Sequence, residues 1–480
     1  MSSENNKYLR LLKNTGIIFV GNAGSRLLIF FLLPFYTKYL PPDQYGISDL
    51  IVTYAMMLIG IATCQISDAV FVFPKGESRE KQISYFSAGL IFLCFSFTVC
   101  AAVFGLLYVL LPSQVFFRRL IWLIFGYIML SGLQNYFQQF CRSIDAMIMY
   151  ALSGLGYTTG AVVSALLLIP IKPAGTTMIF THYIGFLTGI LVSFVGAKLW
   201  RFISLPAKAA FQPDLKRLLL FSIPLVPSGI MWWMISSLNR PILEKWVSLA
   251  AVGIYAVGCK IPSLIQSFWG VVGNAWQISV LEEYGKTGFA DFFNRFVDFL
   301  LYALALLVIL LTVAAPHVMK IFVAPEFYES YRLIPLISYG MIFALAAGAI
   351  GTIFTAAKAT KYFLHSSIYA LVSSIAFNFL LIPFYGIMGA AAANMLTLLV
   401  ECLVRVCYAG KFVSFSSITR KILLLALPGL SVLLFYCGLN GFFYYILNGC
   451  LFLVLAGRLF LIAGPLIRSH IFPHKKEVRP

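Results

Sequence analysis

The stretch that decides the fold is residues 83–111, ISYFSAGLIFLCFSFTVCAAVFGLLYVLL, which contains no Lys, Arg, Asp or Glu. A helix of ~20 apolar residues crosses ~30 Å of hydrocarbon, so this segment is long enough to span a bilayer. It is too long for a membrane strand and does not alternate polar with apolar residues. Similar runs fill the chain: hydrophobic residues are 61% and charged residues 11% of 480 residues, against ~25% charged residues in soluble proteins. With a mean hydropathy of +0.91, the sequence predicts an all-α, polytopic membrane protein.

The composition also excludes several classes of function. A net charge of +18 would suit a nucleic-acid partner, but a chain this apolar cannot present a water-facing surface, so we expect no nucleic acid. The nine cysteines lie almost all in apolar runs without C-x-x-C spacing, and the five histidines form no metal signature. We therefore expect no metal site, no catalytic residues and no cofactor apart from a coupling H⁺ or Na⁺. The apolar run after Met1–Lys13 is too long for a cleavable signal peptide.

Counting apolar runs of sufficient length predicts about fourteen transmembrane helices. Their approximate limits are 15–39, 45–72, 83–111, 119–141, 147–169, 176–199, 219–243, 250–281, 294–317, 331–356, 363–383, 388–410, 421–438 and 442–467. With the amino terminus inside, 24 of the 35 Lys and Arg residues fall in cytoplasmic segments, 7 in the opposite loops and 4 inside spans. This positive-inside bias predicts that both termini are cytoplasmic.

Two short matches indicate an internal repeat. Lys38 and Gly46 recur as Lys245 and Gly253, an offset of 207 (245 − 38), and LLIP at 167–170 recurs at 380–383, an offset of 213 (380 − 167). Both pairs occupy equivalent positions in two sets of six spans. The predicted organisation is therefore two six-helix lobes related by pseudo-twofold symmetry, over residues 1–205 and 206–412, followed by two appended C-terminal helices and a basic tail over 413–480.

Three motifs resemble those of a known family. They are YG at 45–46, VGIY at 252–255 with KIP at 260–262, and NFLLIPFYGIMGAA at 378–391. Together they resemble the polysaccharide-transporter branch of the multidrug/oligosaccharidyl-lipid/polysaccharide exporter superfamily, and within it the Wzx-type O-antigen flippases. The resemblance implies a central cavity that opens alternately to each side of the bacterial inner membrane. It also implies an undecaprenyl-pyrophosphate-linked glycan as cargo, membrane lipid as surroundings, and polysaccharide polymerase machinery as a partner. The family often has an acidic residue before the arginine of span 7, where this chain has Asn239.

Charged residues deep in a membrane normally face a cavity or a partner. Arg26 lies near the middle of span 1, one turn after Asn22, and a guanidinium at that depth can bind a pyrophosphate through two hydrogen bonds. The alternative is an ion pair between helices inside one lobe. We expect Arg26 and Lys260 to line one cavity between the two halves.

Span 8 carries a polar stripe along its whole length. The stripe comprises Lys260, Ser263, Ser267, Gly270, Asn274 and Gln277, at steps of three and four residues. A stripe that faced lipid would be unfavourable, so Lys260, Asn274 and Gln277 are candidate substrate-binding residues. Close helix packing through small residues is the alternative explanation for the middle of the stripe.

Three further charged residues are candidates with a structural alternative. Arg240 lies near the outer end of span 7. It either binds substrate or extends to the membrane interface while it pairs with Glu244, four residues later. Glu401 of span 12 either couples transport to an ion gradient or pairs with Arg405 at i+4. Asp68, near the cytoplasmic end of span 2, is either a coupling site or a carboxylate that touches water.

The function that these features favour is a flippase for lipid-linked oligosaccharides such as an O-antigen or similar repeat unit. A lipid II flippase is close in chemistry and stays open. A multidrug/cation antiporter of the same superfamily would favour a carboxylate-lined cavity, which the central cations disfavour. A membrane polymerase or glycosyltransferase would need a sizeable loop, and the longest polar interval covers only about 200–217.

Overall fold

The computed structural model describes residues 31–112, 116–204, 208–416, 418–438 and 441–471, and these form helices with short connections and no strand. The α-helices are α1 Leu33–Tyr39, α2 Pro42–Thr63, α3 Ile66–Val72, α4 Arg79–Leu110, α5 Phe116–Ser143, α6 Met147–Leu168, α7 Gly175–Gly196, α8 Lys208–Ser222, α9 Val226–Ser237, α10 Asn239–Trp246, α11 Leu249–Gly258, α12 Lys260–Glu283, α13 Phe289–Phe322, α14 Leu333–Ala356, α15 Thr360–Ala409, α16 Ile418–Tyr436 and α17 Phe442–Ile471. Short 3₁₀ helices cover Leu199–Phe202, Ile223–Leu225 and Pro325–Arg332.

The prediction of an all-α polytopic membrane protein is confirmed. Ten helices of the described residues are long and apolar enough to cross a membrane, and eleven if the bent pair α11–α12 counts as one span. Each predicted span from the second to the fourteenth coincides with one or more of the α-helices α2–α17, although the helix of the thirteenth, α16, is shorter than the helices counted as spans. Most of the first predicted span, 15–39, lies outside the described residues.

Three predicted spans are broken rather than continuous. The second is interrupted at Cys64 and Gln65, which both adopt left-handed backbone angles, with φ of 48° and 53°. The seventh is divided into α8, α9 and α10. The eighth bends by 43° where α11 meets α12. Hydropathy does not reveal such breaks, because the residues that flank them stay apolar.

The helix α15 contains the eleventh and twelfth predicted spans. Its 50 residues would measure about 75 Å as a straight helix, more than twice the thickness of the hydrocarbon core. Gly386, at φ 54° and ψ −129°, has a non-helical backbone and divides it. A side chain at Gly389 would collide with the carbonyl oxygen of Leu381. The motif at 378–391 is therefore a tight reversal that depends on glycine at both positions.

Contacts divide the chain into two compact units, Met1–Ala256 and Val257–Pro480. In the first unit, the ring of Phe86 packs at a tilt against that of Phe140 with centroids 4.3 Å apart, and the hydroxyl of Tyr136 donates to the carbonyl of Phe86 at 2.6 Å. These buried aromatic side chains join α4 to α5. The predicted lobe limits, 1–205, 206–412 and 413–480, stay predictions.

The core of the second unit is centred on Trp276 of α12. Its indole stacks on Phe296 at 3.7 Å and donates from Nε1 to the carbonyl of Ala349 at 3.0 Å. The appended helices join this unit through α13: Leu424 and Leu455 pack on a buried cluster that includes Tyr302. The C-terminal pair of helices is thus part of the second unit's packing.

Candidate functional site

The helix α12 has one buried face and one open polar face. Its buried face comprises Ile261, Ile265, Trp276 and Val280. Among the residues of the predicted stripe, Ser263, Gly270 and Asn274 are exposed, whereas Lys260 and Gln277 are half-buried. The side chain of Ser267 is not described. Among the described residues, the core of the second unit therefore leaves these polar positions of α12 uncovered, together with the apolar side chains of Val272, Ile278 and Leu281.

Arg240 has a carboxylate partner that the sequence did not indicate. Its Nε donates to Oδ2 of Asp49 in α2 at 2.7 Å, and the two side chains are 16% and 17% exposed. The guanidinium also lies 5.7 Å from the ring centroid of Tyr255, whose hydroxyl accepts a 2.6 Å hydrogen bond from Asn239. The expected partner, Glu244, is not the one found. This network links α2, α10 and α11.

Two glycines related by the repeat meet next to this network. A side chain on Gly46 would collide with the carbonyl oxygen of Leu249, and one on Gly253 would collide with the carbonyl oxygen of Pro42. The offset of 207 relates the two glycines to each other (253 − 46). The same offset relates the two carbonyl-bearing residues, Pro42 and Leu249 (249 − 42). Reciprocity of this kind, in which i meets j and j meets i, characterises a two-fold contact. The contact is therefore locally two-fold, and it joins two positions that the sequence relates by the offset of 207.

Glu401 and Arg405 form a buried ion pair within the second half of α15. Arg405 also donates to Oγ of Ser366 at 3.1 Å and to the carbonyl of Ala347 at 2.9 Å. Its guanidinium lies 4.4 Å from the ring centroid of Phe363. These contacts occupy the arginine and neutralise the carboxylate, so the geometry favours the structural alternative for Glu401.

Asp68 is half-buried at the start of α3, directly after the break in the second span. Near the break, the hydroxyl of Ser96 donates to the carbonyl of Ala62 at 2.5 Å, which satisfies one carbonyl at the end of α2. Arg26 and Asn22 lie outside the described residues. The predicted cavity shared by Arg26 and Lys260 therefore stays a prediction.

A second ion pair was also missed. Lys421 of α16 lies 3.0 Å from Asp298 of α13 and donates to Oδ1 of Asn294 at 3.1 Å. Partners more than a hundred residues apart leave no local signal, and the pair fastens the first appended helix to the second unit.

The described residues contain no group of His, Cys, Asp or Glu side chains that could hold a metal ion. The described residues define a class: a polytopic α-helical membrane protein in which several apolar spans are broken.

A family model described as "Polysaccharide biosynthesis protein" matches residues 11–276. The chain belongs to this family, which confirms the resemblance inferred from its motifs. No curated protein sequence matches the chain.

Solved structures show the same fold. A lipid II flippase, MurJ, in an inward closed conformation has 13% identity and a TM-score of 0.71, covering 94% of this chain and 100% of its own. A multidrug resistance MATE transporter in an inward-facing conformation has 13% identity and a TM-score of 0.61, covering 84% and 95%. A mutant of the MATE transporter VcmN from Vibrio cholerae has 13% identity and a TM-score of 0.57, covering 86% and 98%.

Proposed function

We propose that the protein is a flippase that moves an undecaprenyl-pyrophosphate-linked oligosaccharide from the inner to the outer leaflet of a bacterial inner membrane. The observation that carries the proposal is the open polar face of α12, with Lys260 at its start. A polar face of this length exposed to lipid would be unfavourable, whereas it suits a path that replaces water around a sugar head group. Membership of a polysaccharide biosynthesis family supports the class of substrate.

The roles proposed for the individual residues follow from the three parts of the cargo, which are the polyprenyl tail, the pyrophosphate and the glycan. The polyprenyl tail stays in lipid, and the glycan passes along hydroxyl-, amide- and ammonium-bearing side chains. Arg26 and Lys260 offset the cost of taking pyrophosphate charge out of water, and Asn274 and Gln277 hydrogen-bond sugar hydroxyls. Asp68 is the proposed site for a coupling H⁺ or Na⁺. The attraction between these side chains and the pyrophosphate must be weak enough for the cargo to leave. We therefore propose that an ion gradient returns the empty path to the conformation that accepts the next cargo.

The Arg240–Asp49 pair takes a different role in the proposal. With both termini cytoplasmic, the start of α2 and the end of α10 face the outside, where the Gly46–Gly253 contact also lies. We assign these contacts to closure of the outer end of the path. Arg240 then acts by holding helices together and does not itself bind cargo.

Transport in proteoliposomes with defined lipid-linked glycans is the direct test. Protection of the glycan from an added glycosidase or lectin should decay only in vesicles that contain the protein. A lipid II flippase is supported by the fold it shares with MurJ. It predicts transport of lipid II in preference to undecaprenyl-pyrophosphate-linked repeat units, and that preference would contradict our choice of head group.

Orientation is tested separately. The 24-to-7 bias of Lys and Arg predicts that a cysteine at position 361 is labelled from the cytoplasm and one at position 328 from outside. The reverse pattern would overturn the assignment of sides.

A further inference from the structure

Two lysines from either end of α15 meet at one tyrosine ring. Lys361 lies in the first turn of α15, and Lys411 lies two residues after its end, so the reversal at Gly386 brings the two lysines together. Nζ of Lys361 lies 5.3 Å from the ring centroid of Tyr362, and Nζ of Lys411 lies 5.1 Å from the same centroid. The two ammonium groups are therefore at most 10.4 Å apart (5.3 + 5.1). These two lysines, with Tyr362 and Tyr408, form the lysine cluster.

The positive charge of the lysine cluster has no carboxylate to balance it nearby in the chain. Helices α14–α17 and their connections, residues 333–471, contain eight Lys and Arg but a single acidic residue, Glu401. That carboxylate is buried in its ion pair with Arg405. Neither Lys361 nor Lys411 takes part in any ion pair that the described residues form. Like charges this close repel each other, and an anion between them would relieve that repulsion.

The tyrosine rings position the ammonium groups without neutralising them. The rings of Tyr362 and Tyr408 lie 5.0 Å apart, and Nζ of Lys411 lies 5.6 Å from the centroid of the second ring. The attraction between an exposed ammonium and an aromatic face is weak. Both tyrosines are half-buried, whereas both lysines are exposed. The ammonium groups are therefore held close together and stay accessible to a ligand.

The exposed face of α15 that begins at the lysine cluster continues as apolar side chains. Lys361, His365, Ile368 and Val372 follow at steps of four, three and four residues, so they lie on one face of the helix, and all four are exposed. At 1.5 Å per residue, Lys361 and Val372 are about 16 Å apart along the helix axis. That length is about half of the ~30 Å hydrocarbon core. The face therefore matches an amphiphile with an anionic head and a hydrocarbon chain that occupies one leaflet.

Single lysines at the ends of spans are common, because basic loops flank membrane helices. The lysine cluster differs from them, since two ammonium groups from distant parts of the chain share one ring at the end of an exposed apolar face. We propose that the lysine cluster is a binding site for an anionic phospholipid. The phosphate lies between Lys361 and Lys411, and an acyl chain lies along Ile368 and Val372. Basic pockets between transmembrane helices bind headgroups of this kind, and binding here does not depend on which cargo the protein transports.

Native mass spectrometry of the full chain in detergent measures the apparent Kd of the first bound lipid. The probes, added separately at equal concentrations, are dioleoyl-phosphatidylglycerol, dioleoyl-phosphatidylcholine, undecaprenyl pyrophosphate and sodium phosphate. We expect phosphatidylglycerol to bind more tightly than phosphatidylcholine, which has the same chains but no net charge. Lys361→Gln and Lys411→Gln should each weaken binding of phosphatidylglycerol about fivefold, and the double variant about thirtyfold. The double substitution by arginine, which keeps both charges, should bind like the wild type.

The matched control removes two other exposed lysines of the second unit. Lys286 has its own carboxylate partner, Glu283, at 2.9 Å, and Lys320 lies at the end of α13. The double variant Lys286→Gln, Lys320→Gln should therefore bind phosphatidylglycerol within twofold of the wild type. An equal loss in this control would mean that only net charge matters, which overturns the site.

Three other results overturn the proposal. Equal binding of phosphatidylglycerol and phosphatidylcholine would show that the charge of the headgroup is not recognised. Wild-type binding of phosphatidylglycerol by the Lys361→Gln, Lys411→Gln variant would place the lipid elsewhere, and the single variants decide this if the double variant does not fold. Tighter binding of undecaprenyl pyrophosphate or free phosphate through the same lysines would assign the site to the cargo or to a free anion instead of a phospholipid.

Discussion

The Arg240–Asp49 pair provides a measurable test of how the path is closed. Removing one partner of a buried ion pair costs ~3–5 kcal/mol, whereas an exposed pair contributes ~0–1 kcal/mol. At 2.7 Å and with side chains 16% and 17% exposed, this pair is nearer the buried limit. Arg240 keeps the ring of Tyr255 and the carbonyl of Ser236 as neighbours, so we expect Asp49→Asn to weaken closure by about 2 kcal/mol.

The readout is the accessibility of Ser48, which is 1% exposed. In a background without the native cysteines, Ser48→Cys is labelled by a membrane-impermeant maleimide only when this end opens. A loss of about 2 kcal/mol raises the open population by up to about thirtyfold, since 1.4 kcal/mol is a factor of ten. We therefore expect Asp49→Asn and Arg240→Gln each to accelerate labelling about ten- to thirtyfold, and the double variant to add little.

The control is an exposed ion pair of similar geometry. Lys286 lies 2.9 Å from Glu283, with side chains 59% and 43% exposed, so Glu283→Gln should leave the labelling rate unchanged. If the three Asp49 and Arg240 variants label within twofold of the parent, the pair does not hold this end closed. Faster labelling that is fully additive in the double variant would mean that the residues act independently.

The other predictions concern the remaining charges of the spans. Arg26→Ala should abolish flipping per folded molecule. Arg26→Lys should keep part of the flipping, because an ammonium retains the charge but loses the planar fork of the guanidinium. Normal transport by Arg26→Ala would leave only an ion-pair role for Arg26. Lys260→Ala should weaken transport and Lys260→Arg should largely restore it, as measured by flux in proteoliposomes. Lys260→Asp should transport less than Lys260→Ala, because the carboxylate also repels the pyrophosphate. Arg405→Met should lower the yield of folded protein, by an unfolding cost of ~3–5 kcal/mol, and Glu401→Gln should relieve that loss. If Glu401→Gln alone folds normally and removes only the ion dependence of transport, Glu401 is a coupling site after all.

Local sequence predicted most of the helices, because hydrophobic length is a local property. The spans at 83–111 and 147–169 correspond closely to α4 and α6, since neither contains a break. The sequence also relates Gly46 to Gly253 by an offset of 207, and each of these glycines contacts the helix of the other. The internal repeat itself stays a prediction. Backbone breaks inside apolar runs were not predictable, because Cys64 and Gln65 carry no composition signal for a left-handed turn.

Pairing of charges was predictable only within one helix. Glu401 and Arg405 lie one turn apart, and they pair as the i+4 spacing allows. Arg240 was expected to pair with Glu244 at the same spacing, yet Asp49, 191 residues away, is its partner. The difference comes from packing, since the Gly46–Gly253 contact brings α2 close enough to α10 for the longer-range pair to form.

The position of Lys260 follows from the break in its span. It is the first residue of α12 and lies two residues after the end of α11, where the span bends by 43°. A charge inside a membrane-spanning segment normally faces a cavity or a partner. An anionic cargo that reached this bend would meet the ammonium of Lys260, which is the contact that the proposed function assigns to it. The Lys260→Ala, Lys260→Arg and Lys260→Asp variants test that assignment, because only a contact with an anion predicts that aspartate is worse than alanine.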